Sequence, residues 1–207
     1  MSIKPSSLLR SVALASLLAA AVASAAPVVY NDRASFNAAS AGTTTVDFEG
    51  ETLFTFRGSS FTVSGITFTG DIARLFTFDA GFYTPGLASD YLNMNDSATH
   101  YIDISAAGMT AVGFDFGTLN ATFNAPKAVT VTDSLGNIYN LTAPTQPALD
   151  FLGLTSDVAL TSVRVSGEFV VLDNVTTGRA AVVPLPGTMA LVGLGLAALG
   201  LASRRRA

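Results

Sequence analysis

The chain has 207 residues, no cysteine and a net charge of −4. The lack of cysteine excludes disulfide bonds, thiolate metal sites and cysteine nucleophiles, and the length allows one domain with terminal signals, or at most two small domains. Between residues 26 and 180, fifteen acidic side chains stand against six basic ones, a difference of nine, so divalent cations are better candidate partners than nucleic acid.

The first 25 residues carry the three parts of a secretory signal peptide. Lys4 and Arg10 supply the positive start, residues 12–22 form a mainly apolar section, and Ala23-Ser24-Ala25 is a small-residue cleavage site. We expect this signal helix to be removed by signal peptidase, so that the mature chain begins at Ala26. An uncleaved N-terminal anchor is the alternative.

Residues 31–39 predict a short helix, because Asn31 or Asp32 can cap it and alanines favour it. Beyond Gly42 the pattern is typical of strands, most clearly over residues 110–117, where Val112, Phe114 and Phe116 lie on one face and Asp115 on the other. Ser64-Gly65 predicts a two-residue hairpin turn. Ser166-Gly167 predicts the turn between the last two strands.

The predicted strands number about ten to twelve and follow one another at roughly 8–12-residue spacing, which favours an antiparallel β-sandwich of the jelly-roll type. We therefore predict an all-β passenger domain over residues 26–178, with a linker from about 176 to 183 and a tail over residues 179–207. Predicted strands cover residues 43–48, 60–63, 66–69, 74–78, 91–94, 100–104, 110–117, 128–132, 137–142, 151–154, 160–165 and 168–175.

The C-terminal tail has three consecutive parts. A proline motif, Val183-Pro184-Leu185-Pro186-Gly187, is followed by an uncharged apolar run over residues 188–202 and by Arg204, Arg205 and Arg206. The prolines suit a rigid start before a helix, and terminal arginines mark a cytoplasmic end. A helix of about 15 residues spans about 22 Å, shorter than the roughly 30 Å of a bilayer core, so we expect a weak or temporary span.

This order of proline motif, hydrophobic helix and arginine cluster resembles the PEP-CTERM sorting signal of Gram-negative bacteria. Leu185 stands where the family motif usually has glutamate. The resemblance implies brief anchoring in the inner membrane, processing by an exosortase, and delivery to the cell envelope or an exopolysaccharide matrix. A plain C-terminal anchor is the alternative.

The middle of the chain is similar to the single-domain passengers that such tails often carry, which resemble jelly-roll carbohydrate-binding or lectin-like modules. The similarity rests on four short segments: Val46-Asp47-Phe48-Glu49, residues 111–117, Phe151-Leu152-Gly153-Leu154 and Leu172-Asp173-Asn174-Val175.

Four oxygen-bearing side chains form a candidate calcium site. Asp47 and Glu49 project from one face of an early strand, and Asp173 and Asn174 end the last one. In jelly rolls the first and last strands often lie side by side, which brings the four together, and calcium binds six to eight oxygens. The alternative is that the two acids are a solvated face and Asp173-Asn174 a turn.

The sequence gives little sign of catalysis. His100 is the only histidine, and no serine lies in a nucleophile-elbow motif. We therefore expect a non-enzymatic structural or adhesive protein, with a lectin-like module or a weak polysaccharide hydrolase as the alternative. A cleft with two carboxyl groups within about 5–10 Å favours hydrolysis.

Sugar binding needs an aromatic surface with polar neighbours. The best candidates in the sequence are Phe82, Tyr83 and Tyr91, with Asp90, Asn93 and Asn95 beside them, although packing roles are the more common use of such aromatics.

Overall fold

Two antiparallel sheets pack face to face in the part of the chain that the computed structural model describes, residues 26–50, 54–81, 88–119, 127–144 and 147–181. The described elements are β1 (Val28–Tyr30), α1 (Arg33–Ala38), β2 (Ser40–Val46), β3 (Thr55–Gly58), β4 (Ser60–Val63), β5 (Ile66–Gly70), β6 (Leu75–Phe78), β7 (Tyr91–Met94), β8 (Thr99–Ala106), β9 (Ala111–Thr118), β10 (Lys127–Asp133), β11 (Ile138–Ala143), β12 (Asp150–Thr155), β13 (Val163–Glu168) and β14 (Val170–Ala180).

The eight-stranded sheet has the order β1-β12-β9-β14-β7-β6-β3, and β2 pairs with β14 beside this path. The six-stranded sheet has the order β11-β10-β13-β8-β5-β4. This architecture confirms the predicted antiparallel, jelly-roll-like β-sandwich. The predicted signal helix and C-terminal hydrophobic helix lie outside the described residues.

The main core lies between the sheets, and alternation along the strands builds it. On β9, Val112, Phe114 and Phe116 point into the core, while Asp115 points to the outer face of the eight-stranded sheet. A second, smaller core lies apart from it and comprises Phe78, Tyr91, Leu119 and Val171. On β14, Val171 alternates with Val170 and Leu172 of the main core. The eight-stranded sheet is therefore apolar on both faces, which a simple inside–outside pattern does not anticipate.

Helix α1 forms as predicted and covers another part of the outer face. Asp32 caps it, since its Oδ1 accepts the Ser35 N–H at 2.8 Å. Phe36 is fully buried against Gly113 and Gly153. A Cβ atom at either glycine would lie 2.8 or 2.6 Å from the Phe36 ring, so these strands need glycine where the ring sits.

Two predictions about strands need correction, and two strands were missed. Ser166-Gly167 lies inside β13, where Gly167 pairs with His100, and the break falls at Phe169 instead, with φ of 47°. Residues 176–180, read as linker, continue β14 because they pair with β2. The short strands β1 and β3 were not predicted.

Candidate functional site

Strand β14 has a fork on one side, and the candidate site lies there. On one side β14 pairs with β9 along most of its length. On the other it pairs first with β7, at Val171 and Leu172, and then with β2 from Val175 onward. Neither strand pairs with Asp173 or Asn174, and the register with β9 shifts at this point. We call Glu49, Ser89, Asp115, Asp173 and Asn174 the β14 fork.

The backbone at the fork is strained. Phe48, next to Glu49, has φ of 60°, a value that side chains other than glycine seldom adopt, and Asn174 has φ of 48°, which asparagine tolerates better than most residues. Phe48 is buried against Phe68, and the bulge in β14 turns the amide of Asn174 toward the carboxyl groups. Such strained positions cluster at sites of function.

Asp173 is the buried acid of the fork, with 1% of its surface exposed. Ser89 Oγ donates to its Oδ2 at 2.5 Å, and the N–H of Asn174 donates to its Oδ1 at 2.6 Å. Burial raises the pKa of Asp173 to about 6, because the two hydrogen bonds offset only part of the cost of removing the charge from water, and the charges of Asp115 and Glu49 raise it further.

Asp115 lies opposite Asp173 in the register of β9 with β14. Its Oδ1 forms an ion pair with Arg33 Nη2 at 2.8 Å. Asn174 Nδ2 donates to Asp115 Oδ2 at 2.9 Å and to Asp173 Oδ2 at 3.1 Å, so the two carboxylate oxygens lie within about 6 Å of each other. Arg33 also lies 4.7 Å above the ring of Phe151 and is therefore held in place.

Glu49 connects the fork to the segment before β7. Its Oε1 accepts the N–H of Asp90 at 3.0 Å, and Asp90 Oδ1 in turn accepts the N–H of Ala80 at 2.9 Å. Ala80 and Asp90, near the two ends of residues 79–90, are thus held together beside the fork. Among these residues, 82–87 lie outside the described part, and with them the sugar-binding candidates Phe82 and Tyr83.

The predicted pairing of the end strands is observed, since Val46 pairs with Val175. The four predicted calcium ligands nevertheless do not meet at one point. Asp47 is exposed and its Oδ1 accepts only the N–H of Glu49 in the described part of the chain, whereas both oxygens of Asp173 already accept donors. No group of three acidic or imidazole side chains able to hold a metal occurs among the described residues. The calcium site stays a prediction.

An aromatic strip runs along the outer face of the same sheet, from its β3 edge toward the fork. It consists of Phe54, Phe56, Phe76, Phe78 and Tyr91, whose neighbouring ring centroids lie 5.2 to 5.7 Å apart. Phe54 and Phe56 are 49% and 58% exposed, whereas Tyr91 is fully buried. The strip thus has a packed base and an exposed outer end.

The sequence interpretation missed the exposed end of this strip. Its signal was the repeated pattern of alternating phenylalanines, at 54 and 56 and again at 76 and 78. Tyr91 and Asn93, considered for sugar binding, are both fully buried, so they have the packing roles that such residues more often have.

His100 lies away from the fork, between two acids. Its Nδ1 is 2.9 Å from Asp71 Oδ2 and its Nε2 is 3.7 Å from Asp96 Oδ1. Burial alone would raise the pKa of Asp71, but the bonds from His100 and from the N–H of Tyr101 outweigh it and lower the pKa. These contacts join the residues after β5 to the start of β8, a structural role.

A groove of about 450 Å³ lies elsewhere on the molecule and includes Gly42, Gly65, Gly108 and Arg179 in its lining. None of the described residues that line it carries a carboxylate, so the acids of the fork do not open into this groove.

The terminal signals lie outside the described residues. These include Ala23 and Ala25 at the signal cleavage site, the sorting motif Val183, Pro184, Leu185, Pro186 and Gly187, and the basic end Arg204, Arg205 and Arg206. Within the described part of the chain, no helix has the length and apolar character needed to cross a membrane.

Comparison with known structures gives similarities to sugar-binding and sugar-cleaving proteins. A family 29 carbohydrate-binding module from Piromyces equi has a TM-score of 0.36 and 10% identity, over 66% of this chain and 91% of the module. The module TmCBM61 in complex with β-1,4-galactotriose has a TM-score of 0.30 and 16% identity, over 56% and 89%. The catalytic domain of a GH87 α-1,3-glucanase has a TM-score of 0.36 and 11% identity, over 72% and 30%.

No curated protein matches the chain. A family model does match its tail: residues 182–206 fit the PEP-CTERM protein-sorting motif, which implies processing by an exosortase. The chain therefore carries a PEP-CTERM sorting motif, joined to a jelly-roll-like β-sandwich passenger domain.

Proposed function

We propose that the mature protein is a structural and adhesive component of the cell envelope or of an exopolysaccharide matrix, and that it attaches to polysaccharide through the exposed end of the aromatic strip. In this proposal signal peptidase removes the N-terminal signal. The tail holds the protein briefly at the inner membrane, and an exosortase then releases it.

The proposal rests on the solvent exposure of Phe54 and Phe56. Both side chains leave about half of their surface in water, side by side at the edge of the sheet. Contiguous exposed apolar surface marks interaction sites, and flat aromatic rings offer a large contact area for the apolar faces of sugar rings. Phe76 supports both from below, with ring centroids 5.3 Å from Phe54 and 5.2 Å from Phe56, so the platform is formed in advance.

The test is retention of the purified mature protein on insoluble cellulose, mannan and β-1,4-galactan. We expect the wild type to bind at least one of these and Phe54→Ala/Phe56→Ala to bind about tenfold or more weakly, as is usual when interface aromatics are truncated. Val28→Ala is the matched control, since Val28 is 54% exposed on β1, at the opposite edge of the same sheet. Equal retention of the double variant and the wild type, or no retention of the wild type on any of the three, would overturn the proposal.

One observation favours a second candidate, hydrolysis of polysaccharide at the β14 fork. Asp115 and Asp173 lie within about 6 Å of each other, near the separation of the two carboxyl groups in retaining glycosidases. The raised pKa suits Asp173 to a proton donor, and Asp115, ion-paired with Arg33, would then be the nucleophile. The burial of Asp173 makes this the weaker candidate, because substrate must first gain access to it.

Release of reducing ends from the same polysaccharides tests this second candidate. Hydrolysis requires measurable release that falls by orders of magnitude in Asp115→Asn, with binding to the polysaccharide unchanged. Release at the background rate by the wild type excludes it and leaves the adhesive role standing.

A further inference from the structure

Strand β11 is an edge strand of a kind that folded proteins usually protect. It ends the six-stranded sheet in the described part of the chain and pairs with β10 over six consecutive residue pairs without a register shift. Ile138, Asn140 and Thr142 are exposed along it. Natural edge strands are normally kept from pairing by short length, charge, proline or a bulge.

None of these devices is present in β11. The strand reads Ile-Tyr-Asn-Leu-Thr-Ala, without proline or charge. The edge strands β1, β3 and β4 are only three or four residues long, and the pairing of β2 is broken by a register shift. The open side of β11 is therefore the best surface for strand addition among the described strands.

The hairpin that carries β11 is held rigid by a buried carboxyl group. Asp133, 3% exposed, accepts the N–H groups of Leu135 and Asn137 at 2.9 and 3.0 Å and the hydroxyl of Tyr139 at 3.0 Å. Burial and the bond to Asp133 raise the pKa of Tyr139, which keeps its hydroxyl protonated as a donor. A strand already fixed in shape loses little entropy when a partner binds.

The direction of the free backbone groups follows from one hydrogen bond. The N–H of Asp133 donates to the carbonyl of Asn137 at 3.1 Å, so the polar groups of Asn137 face β10. Because these directions alternate along an antiparallel strand, those of Tyr139 and Leu141 face β10 too. The N–H and C=O groups of Ile138, Asn140 and Thr142 therefore point to the open side.

The backbone groups of Ile138, Asn140 and Thr142 can pair with those of the same three residues in a second copy of the chain. If Asn140 stands opposite Asn140 of a second copy, Ile138 stands opposite Thr142 on the outer face and Tyr139 opposite Leu141 on the core face. Every outward N–H and C=O group of the three then has a partner. A shift by one residue would place outer side chains opposite core side chains. A shift by two would leave the outward groups of Ile138 or of Thr142 without a partner in β11, so the pattern favours this register.

Charge does not oppose the approach of a second copy. The exposed residues of β11 are uncharged, as are Ala128, Thr130 and Thr132 on the neighbouring strand β10, although the domain as a whole is acidic. Like charges facing each other across strands would destabilise such a pair.

We propose that β11 pairs antiparallel with β11 of a second copy about a two-fold axis at Asn140, joining the two six-stranded sheets into one. The contact is short, so the dimer is weak and depends on concentration. It goes beyond the adhesive function, since a dimer presents two aromatic strips and can cross-link polysaccharide chains.

Sedimentation velocity of the purified mature protein from about 10 µM to about 1 mM, the range of weak complexes, tests the proposal. We expect the wild type to dimerise as concentration rises and Asn140→Lys to stay monomeric, because two lysines would meet at the axis. Thr62→Lys, an exposed position on the edge strand β4 of the same sheet, should dimerise as the wild type does. An equimolar mixture of Asn140→Lys and Asn140→Glu should restore the dimer.

Amide hydrogen exchange gives a second readout that needs no variant. On going from dilute to concentrated protein, the N–H groups of Ile138, Asn140 and Thr142 should become protected, while those of Tyr139 and Leu141 should not change. A wild type that is monomeric throughout, equal loss of dimer in Thr62→Lys and Asn140→Lys, or protection without this alternation would overturn the proposal. None of these outcomes depends on binding to polysaccharide.

Discussion

Asp173 is held out of water by the fold, so its protonation is linked to the stability of the domain. Its pKa is raised from 3.8 to about 6, which means that the folded state binds the proton more tightly than the unfolded chain does. The ionised form therefore costs stability above pH 6, and this cost disappears as the pH falls toward 4. A shift of about two units corresponds to about 3 kcal/mol at most.

We expect the free energy of unfolding of the wild type, relative to Asp173→Asn, to increase by about 1–2 kcal/mol between pH 7.5 and pH 5. Urea denaturation of both proteins at the two pH values, with chelator present, measures the difference. Acids whose pKa is lowered in the folded state, such as Asp71, have the opposite effect, because they destabilise the folded state as they become protonated. They are present in both proteins, so their effect cancels when the wild type is compared with the variant. A difference that is constant with pH would show that Asp173 keeps its ordinary pKa.

The predicted calcium site also depends on the charges of individual residues. The charges of Glu49 and Asp115 repel that of Asp173 at the fork, and a bound cation would relieve that repulsion. A ligand that binds only the folded state at a hundred times its Kd stabilises it by about 2.7 kcal/mol. Calcium should then raise the Tm, and Asp47→Ala and Glu49→Gln should each reduce the rise, whereas the exposed Asp150→Asn should not. Superimposable melting curves with calcium and with chelator would contradict the prediction.

At the scale of single elements, the turn between β4 and β5 shows how backbone conformation sets stability. Gly65 has φ of 79°, and a Cβ atom added there would meet nothing within 4 Å. Any cost of Gly65→Ala is therefore conformational, about 1 kcal/mol or more, which corresponds to a Tm lower by roughly 2–4 °C in a domain of this size.

Ser64→Asn at the neighbouring position is the matched variant. Ser64 also has a positive φ, of 50°, and asparagine tolerates this conformation better than serine. We expect its Tm to equal or slightly exceed that of the wild type in differential scanning calorimetry. A Gly65→Ala protein as stable as the wild type would contradict the claim that the positive φ at Gly65 makes alanine unfavourable there.

The elements that the sequence predicted well are those with strong local signals. Residues 91–94 and the Ser64-Gly65 hairpin were placed correctly, and Asp32 caps α1 as expected. The misplaced turn at Ser166-Gly167 has a tertiary cause, since Gly167 is packed beneath Val170 while Phe169 turns the chain from one sheet to the other.

The candidate site could be predicted only in part. The meeting of β2 with β14 followed from the jelly-roll expectation and brought Glu49 near Asp173. Asp115 and Ser89 were not predicted, because the bulge at Asn174 that directs its amide toward Asp115 has no sequence signature. Burial of Asp173 depends on contacts between distant parts of the chain, such as the hydroxyl of Ser89, 84 positions away.

For the molecule as a whole, the sorting motif predicts where the N-terminus and the C-terminus of the mature protein lie. Leu185 replaces the glutamate usual in the family, so cleavage by an exosortase should be slower than for the Leu185→Glu variant. Mass spectrometry of released protein should give an N-terminus at Ala26 and a C-terminus between Val183 and Gly187. Recovery of protein outside the inner membrane with Arg206 intact would instead indicate a plain anchor.

The central place of β14 also decides when the domain can fold. This strand pairs with β2, β7 and β9, and Thr176 contacts Thr45 from 131 positions away. Contacts so distant form slowly, and the eight-stranded sheet cannot close before residues 170–180 leave the ribosome. A chain bound for export thus keeps an open sheet until synthesis is nearly complete. Late arrival of this strand delays closure of the eight-stranded sheet, and a closed sheet would oppose passage through a translocation channel.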